Sequence, residues 1–279
     1  MAEGICRIGV AATGSRSDPA IAMGLKALAR SLYPDRTPEI HFHPNSFLSQ
    51  GHFGGSDEAR AEAFLDIAND PAFDVLWFAR GGYGACRLLE RVMPALKPEA
   101  RAKTYLGYSD AGALLGALYA AGFPHVAHGP MPQDLRRAGG QAAVARALRW
   151  LVDRDPASVE PSARAGTPRA AFNLVILGTL IGTPWQPDLA GHELLIEEVS
   201  EHHYRIDRSL FHLTSNPAMR RIAGLRLGRC SDIPENDPDF GRDEEAIAGD
   251  WCERSGIPYL GRADIGHDVD NKVVPFGRA

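Results

Sequence analysis

The stretch VLWFARGGYG, at residues 75–84, joins an apolar run to a glycine-rich turn. Its first five residues are all apolar, which is typical of a strand buried on both faces of a parallel sheet. Glycines at 81, 82 and 84 then permit positive φ and a close approach of the backbone, so N–H groups can face a ligand. In an open α/β sheet, ligands bind at this carboxyl end of the strands. From this stretch alone, a ligand-binding turn and a plain tight turn are equally good interpretations.

Similar apolar runs alternate with helical patterns on both sides of this stretch. Together they predict strands at 7–12, 40–43, 75–79, 104–107 and 126–127, and helices at 19–32, 56–68, 84–93 and 111–121. Strands that alternate with helices indicate a parallel, doubly wound sheet.

The pattern changes after about residue 134. A helix at 142–152 precedes a polar piece, 153–167, that contains two prolines and a glycine, which we interpret as the crossover between two lobes. The second lobe is predicted to contain helices near 173–180, 204–213 and 243–255, strands at 193–197 and 222–227, a loop at 231–242 and a Gly/Asp-rich tail.

Composition excludes several classes of protein. The 279 residues include 30 Lys and Arg against 35 Asp and Glu, a net charge of −5 that argues against a nucleic-acid-binding surface. We expect no membrane span and, since no signal peptide is visible at the start of the sequence, a cytoplasmic location. The four cysteines form no C-x-x-C pair, and there is no G-x-G-x-x-G, phosphate-loop or H-E-x-x-H motif, so neither a metal nor an organic cofactor is expected.

The sharpest candidate for chemistry is YLGYSDAGA, at residues 105–113. A strand runs into Ser109, which is flanked by the small residues Gly107 and Ala111, and a helix follows at once. This is the pattern of a nucleophile elbow, in which the N–H of Asp110 would face an oxyanion at the helix N-terminus. The alternative is that Ser109 caps the helix, which is a common role for serine.

A nucleophilic serine needs a base and an acid that orients the base. His267 lies in a Gly-flanked loop and His128 at a strand end, although any single histidine is more often structural. Glu197 and Glu198 close an apolar run, and adjacent residues of a strand face opposite ways, so only one of them can reach His267.

Taken in order, these segments resemble the serine L,D-carboxypeptidases, the muramoyltetrapeptide carboxypeptidase family that also contains the microcin C immunity peptidases. The matching pieces are SDEAR (56–60), RGGYG (80–84), GYSD (107–110), HGPM (128–131), NL (173–174), GTP (182–184), LIEEV (195–199), YRIDR (204–208) and GH (266–267). Each piece is weak alone, but the ordered set is specific.

The resemblance implies an N-terminal Rossmann-like lobe (1–135), a crossover (136–167) and a smaller C-terminal α/β lobe (168–279), with the active site between the lobes. It implies a catalytic triad of Ser109, His267 and Glu197, with backbone N–H groups of Gly81 or Gly82 and of Asp110 at the oxyanion.

The implied reaction releases terminal D-Ala from murein tetrapeptides, without cofactor or metal, in a protein that is expected to form a homodimer. The expected partner is the murein peptide alone, with no nucleic acid and no membrane. Arg80 or another cation of the cleft would pair with the terminal carboxylate, although Arg80 can equally brace its own loop.

Three other interpretations remain. A peptidase of the same fold would cleave peptidyl-nucleotide or other amide conjugates, although the short segment between the lobes favours the murein peptide. An α/β-hydrolase esterase would have glycine where this sequence has Ala111. A non-enzymatic, two-lobed protein that binds a small ligand would leave the serine at the strand-to-helix turn unexplained.

Overall fold

A computed structural model of the chain describes residues 5–162 and 166–278. The strands are β1 (Arg7–Ala11), β2 (Glu39–Phe42), β3 (Val75–Phe78), β4 (Thr104–Gly107), β5 (Val126–His128), β6 (Arg169–Asn173), β7 (Glu193–Val199), β8 (Gly224–Ser231), β9 (Tyr259–Arg262) and β10 (Val274–Pro275). The α-helices are α1 (Pro19–Leu32), α2 (Asp57–Asn69), α3 (Leu89–Val92), α4 (Gly112–Ala120), α5 (Gly140–Asp153), α6 (Leu174–Leu180), α7 (His203–Ser215) and α8 (Glu244–Ser255).

The strands form two sheets. The first has the order β10-β5-β4-β3-β1-β2, and its strands are parallel except for β10, which pairs antiparallel with β5. The second sheet, β6-β7-β8-β9, is parallel throughout. The predicted fold class is therefore confirmed: a parallel-sheet α/β lobe is followed by a smaller α/β lobe.

Local sequence explains where the helices of the first lobe begin. The Asp18 side chain accepts the N–H of Ala20, and Pro19 takes the first position of α1, where its missing N–H costs nothing. Ser56 caps α2 in the same way by accepting the N–H of Ala59. The central strands of the sheet between these helices are buried along their whole length: all four residues of β3 and of β4 are shielded from solvent. This agrees with the apolar run that predicted a strand covered on both faces.

Three strands were not predicted. β6 reads RAAFN and combines an arginine with two alanines, which have weak strand propensity. β9 contains a glycine at positive φ, and β10 is a two-residue edge strand that ends in a proline. The helix predicted at 84–93 is reduced to a 3-10 turn followed by the single turn α3, and Pro94 stops it there.

The chain crosses between the lobes more than once. α5, which lies in the predicted crossover, packs on α1 and shares a core with β1 and β3. β10 comes from the end of the chain and joins the first sheet beside β5, so the segment before it spans the cleft. Residues 163–165 of the predicted crossover lie outside the described residues. Within the described part of the chain, no helix is both long and apolar enough to span a bilayer.

Candidate active site

Ser109 stands at a strained turn between β4 and α4. Its φ of +60° is in the left-handed region, which is uncommon for a residue with a side chain and costs on the order of 1–3 kcal/mol. A Cβ on Gly107 would lie 2.8 Å from Phe78 Cδ2, so the position two residues before the serine has to be glycine. The capping alternative does not describe this turn, because Tyr108 occupies the N-cap of the short 3-10 helix that Ser109 begins.

His267 and Glu197 lie in line with this hydroxyl. The Nε2 atom of His267 is 3.0 Å from Ser109 Oγ, and its Nδ1 atom is 2.5 Å from Glu197 Oε2. A carboxylate at Nδ1 favours the tautomer with the proton on that nitrogen, which leaves Nε2 to accept the serine proton. Burial lowers the pKa of His267, but the charge and hydrogen bond of Glu197 outweigh it, and the net shift is upward.

Glu198, the next residue of β7, accepts hydrogen bonds from groups other than His267. Glu198 accepts hydrogen bonds from Asn173 Nδ2 (2.7 Å) and from the backbone N–H groups of Val175 (3.0 Å) and Val199 (2.9 Å). Burial raises the pKa of Glu198 to about 7 although these donors oppose the shift. The two carboxylates therefore point to opposite sides of β7, and Glu197 is the one that reaches His267.

The glycine turn after β3 lies directly against the serine. A Cβ on Gly81 would lie 2.7 Å from Ser109 Oγ and 3.8 Å from Asp110 N, so the absent side chain leaves room beside both groups. Gly82 faces elsewhere, because a Cβ there would lie 2.3 Å from Ser15 Oγ. Of the two candidate glycines, the structure brings Gly81 to the serine.

Asp110 has a role beyond its backbone. Its buried carboxylate accepts the N–H groups of Gly84 (3.3 Å) and Ala85 (2.9 Å), which ties the glycine turn to the serine turn. Burial raises the pKa of Asp110 to about 6. The sequence pattern predicted a role only for the N–H of this residue, because no local pattern indicates that its carboxylate spans the two turns.

Arg80 braces the neighbouring loop. Its Nη1 atom donates to the carbonyl oxygen of Arg16 at 3.1 Å, and the side chain is half-buried. This contact agrees with the bracing role that the sequence left open.

Sequence reasoning missed the groups that hold the His267 loop. Arg229, from the end of β8, donates to Asp264 Oδ1 (2.6 Å) and to both carboxylate oxygens of Asp268, so it binds the loop on either side of His267. Asn271 Oδ1 accepts the N–H of Gly266 at 3.3 Å. The acids that flank the Gly-His pair were a visible signal, but their partner lies in another strand.

A second missed cluster lies beneath the His267 ring. The ring of Tyr108 packs on that of His267, with 4.8 Å between the centroids. The Tyr108 hydroxyl donates to Asp134 Oδ1 at 2.7 Å, and Arg137 Nε donates to the same oxygen at 3.2 Å. His128, the other histidine considered from sequence, is buried beside Tyr108; burial lowers its pKa to about 4.

Comparison with known proteins extends over most of the chain. Residues 8–129 match the LD-carboxypeptidase N-terminal domain of the peptidase S66 family, and residues 171–279 match the LD-carboxypeptidase C-terminal domain. A putative carboxypeptidase of Synechocystis is 32% identical over 247 residues, which cover 86% of this chain and 79% of that protein.

Two further proteins are similar along nearly their whole length. The murein tetrapeptide carboxypeptidase of Pseudomonas aeruginosa is 25% identical, with 93% of this chain and 89% of that protein covered. The crystal structure of muramoyltetrapeptide carboxypeptidase from Oxalobacter formigenes superposes with a TM-score of 0.79 at 24% identity, covering 96% of this chain and 93% of the other. The superposition on the Oxalobacter structure supports the two-lobed fold.

Proposed function

Because the chain belongs to the LD-carboxypeptidase family (peptidase S66), we propose that it is a serine carboxypeptidase that releases the terminal D-alanine of murein tetrapeptides in peptidoglycan recycling. The observation that carries the proposal is the line of hydrogen bonds from Ser109 through His267 to Glu197, which starts at a strained turn. This order of nucleophile, base and orienting acid is the one that triad serine peptidases use.

The scissile bond joins the L-configured centre of the diaminopimelate residue to D-Ala. His267 Nε2 takes the proton of Ser109 as Oγ attacks the carbonyl carbon, and Glu197 stabilises the imidazolium that forms. The N–H groups of Asp110 and Gly81 donate to the tetrahedral oxyanion; in other serine peptidases, loss of one such donor costs about 10²–10³ in rate.

His267 then gives the proton to the leaving amine, and D-Ala departs. Water, deprotonated by the same histidine, hydrolyses the ester that remains on Ser109. The raised pKa of His267 places the acid limb of kcat/KM above the ordinary histidine value of about 6.5, because the neutral imidazole is the base.

The nucleophile belongs to the N-terminal lobe, residues 1–135, and the base and the acid belong to the C-terminal lobe, residues 168–279. The enzyme acts in the cytoplasm as a homodimer and catalyses the reaction with side chains and backbone, without a metal or organic cofactor. Within residues 5–162 and 166–278, no group of three or more His, Cys, Asp or Glu side chains is arranged to hold a metal ion.

The test compares three peptides that differ only at the last residue: a free D-Ala end, a free L-Ala end and a D-Ala amide. We expect D-Ala to be released from the first, poor cleavage of the other two, and the same rates after treatment with EDTA. Equal rates for the three peptides would contradict a carboxypeptidase. Faster cleavage of a peptidyl-nucleotide amide than of the murein tetrapeptide would instead favour the conjugate-cleaving alternative.

A further inference from the structure

The order of strands determines which side of Ser109 receives each part of the substrate. Ser109 follows β4, whose neighbours are β3 on one side and β5 on the other. Gly81 follows β3, so the oxyanion lies on the β3 side. The loop that carries His267 leads into β10, which pairs with β5, so the base lies on the β5 side.

A leaving D-alanine has to occupy the β5 side. His267 protonates its amine, so the nitrogen must lie within hydrogen-bond reach of the imidazole. The α-carboxylate is only two bonds beyond that nitrogen. A cation that recognises the carboxylate therefore has to stand beside His267, on the far side of the cleft from the oxyanion donors.

We infer that Arg137 binds the terminal carboxylate of the substrate and so makes the enzyme an exopeptidase, an inference that rests on the proposed function. Arg137 follows β5 directly after the 3-10 turn Pro132–Arg136. The helix after it, α5, is tied to the His267 loop, since Arg146 Nη1 donates to the carbonyl oxygen of Val269 at 3.1 Å. The charge of Arg137 also reaches the base, because it lowers the pKa of His267 against the larger upward effect of Glu197.

The guanidinium is anchored and still has donors to offer. Its Nε atom is held by Asp134, which is itself fixed by the hydroxyl of Tyr108 and the N–H of Met131. The side chain of Arg137 is 39% exposed. The guanidinium also forms a hydrogen bond with the Tyr108 side chain, and because a guanidinium has five N–H donors it keeps others for a carboxylate.

Arg80 lies on the β3 side of Ser109, away from the carboxylate of the leaving D-alanine. It follows β3 and donates to the loop after β1, so it stands with the oxyanion donors and not with His267. It provides the matched control, since it is also a partly buried arginine at a strand end.

The experiment measures kcat/KM for the free D-Ala peptide and for its amide, and compares their ratio in the wild type, Arg137→Gln, Arg137→Lys and Arg80→Gln. A charge-assisted, bidentate pair predicts a wild-type ratio of about tenfold or more. In Arg137→Gln the ratio should fall towards one, chiefly through a higher KM for the acid, and in Arg137→Lys it should be intermediate. In Arg80→Gln it should stay at the wild-type value, with any loss shared by both substrates.

The ratio cancels any general disturbance of His267 that follows from loosening Asp134 and Tyr108. A wild-type ratio kept in Arg137→Gln, or lost in Arg80→Gln, would overturn the assignment of Arg137 and leave the carboxypeptidase intact. A ratio of one in the wild type would overturn both the assignment and the proposed function.

Discussion

The turn that carries Ser109 and the loop that carries His267 are built in opposite ways. The serine turn is set over six residues, by a strand end at Gly107, a left-handed residue and a helix that begins at Gly112. The His267 loop has neither a strand nor a helix of its own. It is held by partners that lie far away in sequence, among them Arg229.

The Ser109 and His267 side chains are therefore held in their reactive positions by different means. At the serine, local strain is stored in the backbone and the surrounding sheet enforces it. At the histidine, side-chain hydrogen bonds within the C-terminal lobe hold the ring and its loop: Glu197 at Nδ1, Asn271 on the N–H of Gly266, and Arg229 on the acids of both flanks. Substitutions far from the chemistry should therefore affect the histidine more than the serine.

The largest expected effect on the histidine side comes from Glu197→Gln. Loss of the orienting carboxylate should lower kcat by about 10⁴-fold, as in another serine peptidase. The charge of Glu197 also holds the pKa of His267 up, so the acid limb of the remaining activity should move to lower pH. Steady-state rates measured between about pH 4.5 and 8.5, two units on either side of an ordinary histidine pKa, give both values.

Glu198→Gln is the matched control, because it changes the adjacent residue of the same strand. Glu198 accepts three hydrogen bonds away from His267, so its replacement should lower the melting temperature and cost less than about tenfold in kcat. If Glu198→Gln were the more damaging of the two for kcat, the orientation of β7 would have to be reversed.

A smaller effect should follow from Arg229→Gln. The guanidinium joins Asp264 and Asp268 on the two sides of His267, and its loss loosens the loop without removing a reacting group. We expect kcat to fall by about tenfold, since misplacement of a reacting group by 1 Å can cost roughly 10²-fold.

Arg221→Gln, which removes an exposed pair with Asp188, should leave kcat unchanged. Equal kcat values for the two variants would mean that the His267 loop keeps its conformation without Arg229.

Much of the first lobe could be predicted because its signals are local. Apolar runs marked β1 to β5, Pro19 marked the start of α1, and the Ser56 cap marked the start of α2. β6, β9 and β10 escaped prediction because pairing with neighbours, and not their own composition, makes them strands.

The same distinction applies to the candidate site. Ser109 is visible in a nine-residue pattern, whereas Glu197 and His267 were selected only by resemblance to a family. The carboxylate of Asp110 and the side chain of Arg229 were not predicted, because each binds residues that only the folded chain brings close. Arg137 was not predicted either, because only the fold brings its charge near His267. Polar side chains of this kind carry no periodicity that a sequence pattern can reveal.

Covalent catalysis at Ser109 is tested by the rate of D-Ala release by Ser109→Ala, with Ser15→Ala as a control. Ser15 is the hydroxyl that faces the other glycine of the turn, against Gly82. Loss of a triad serine lowers kcat by about 10⁶-fold in another serine peptidase, so Ser109→Ala should release no D-Ala above background while it keeps the wild-type melting temperature. Ser15→Ala should remain active. A folded Ser109→Ala variant that retains more than about a hundredth of the wild-type rate would contradict covalent catalysis at this serine.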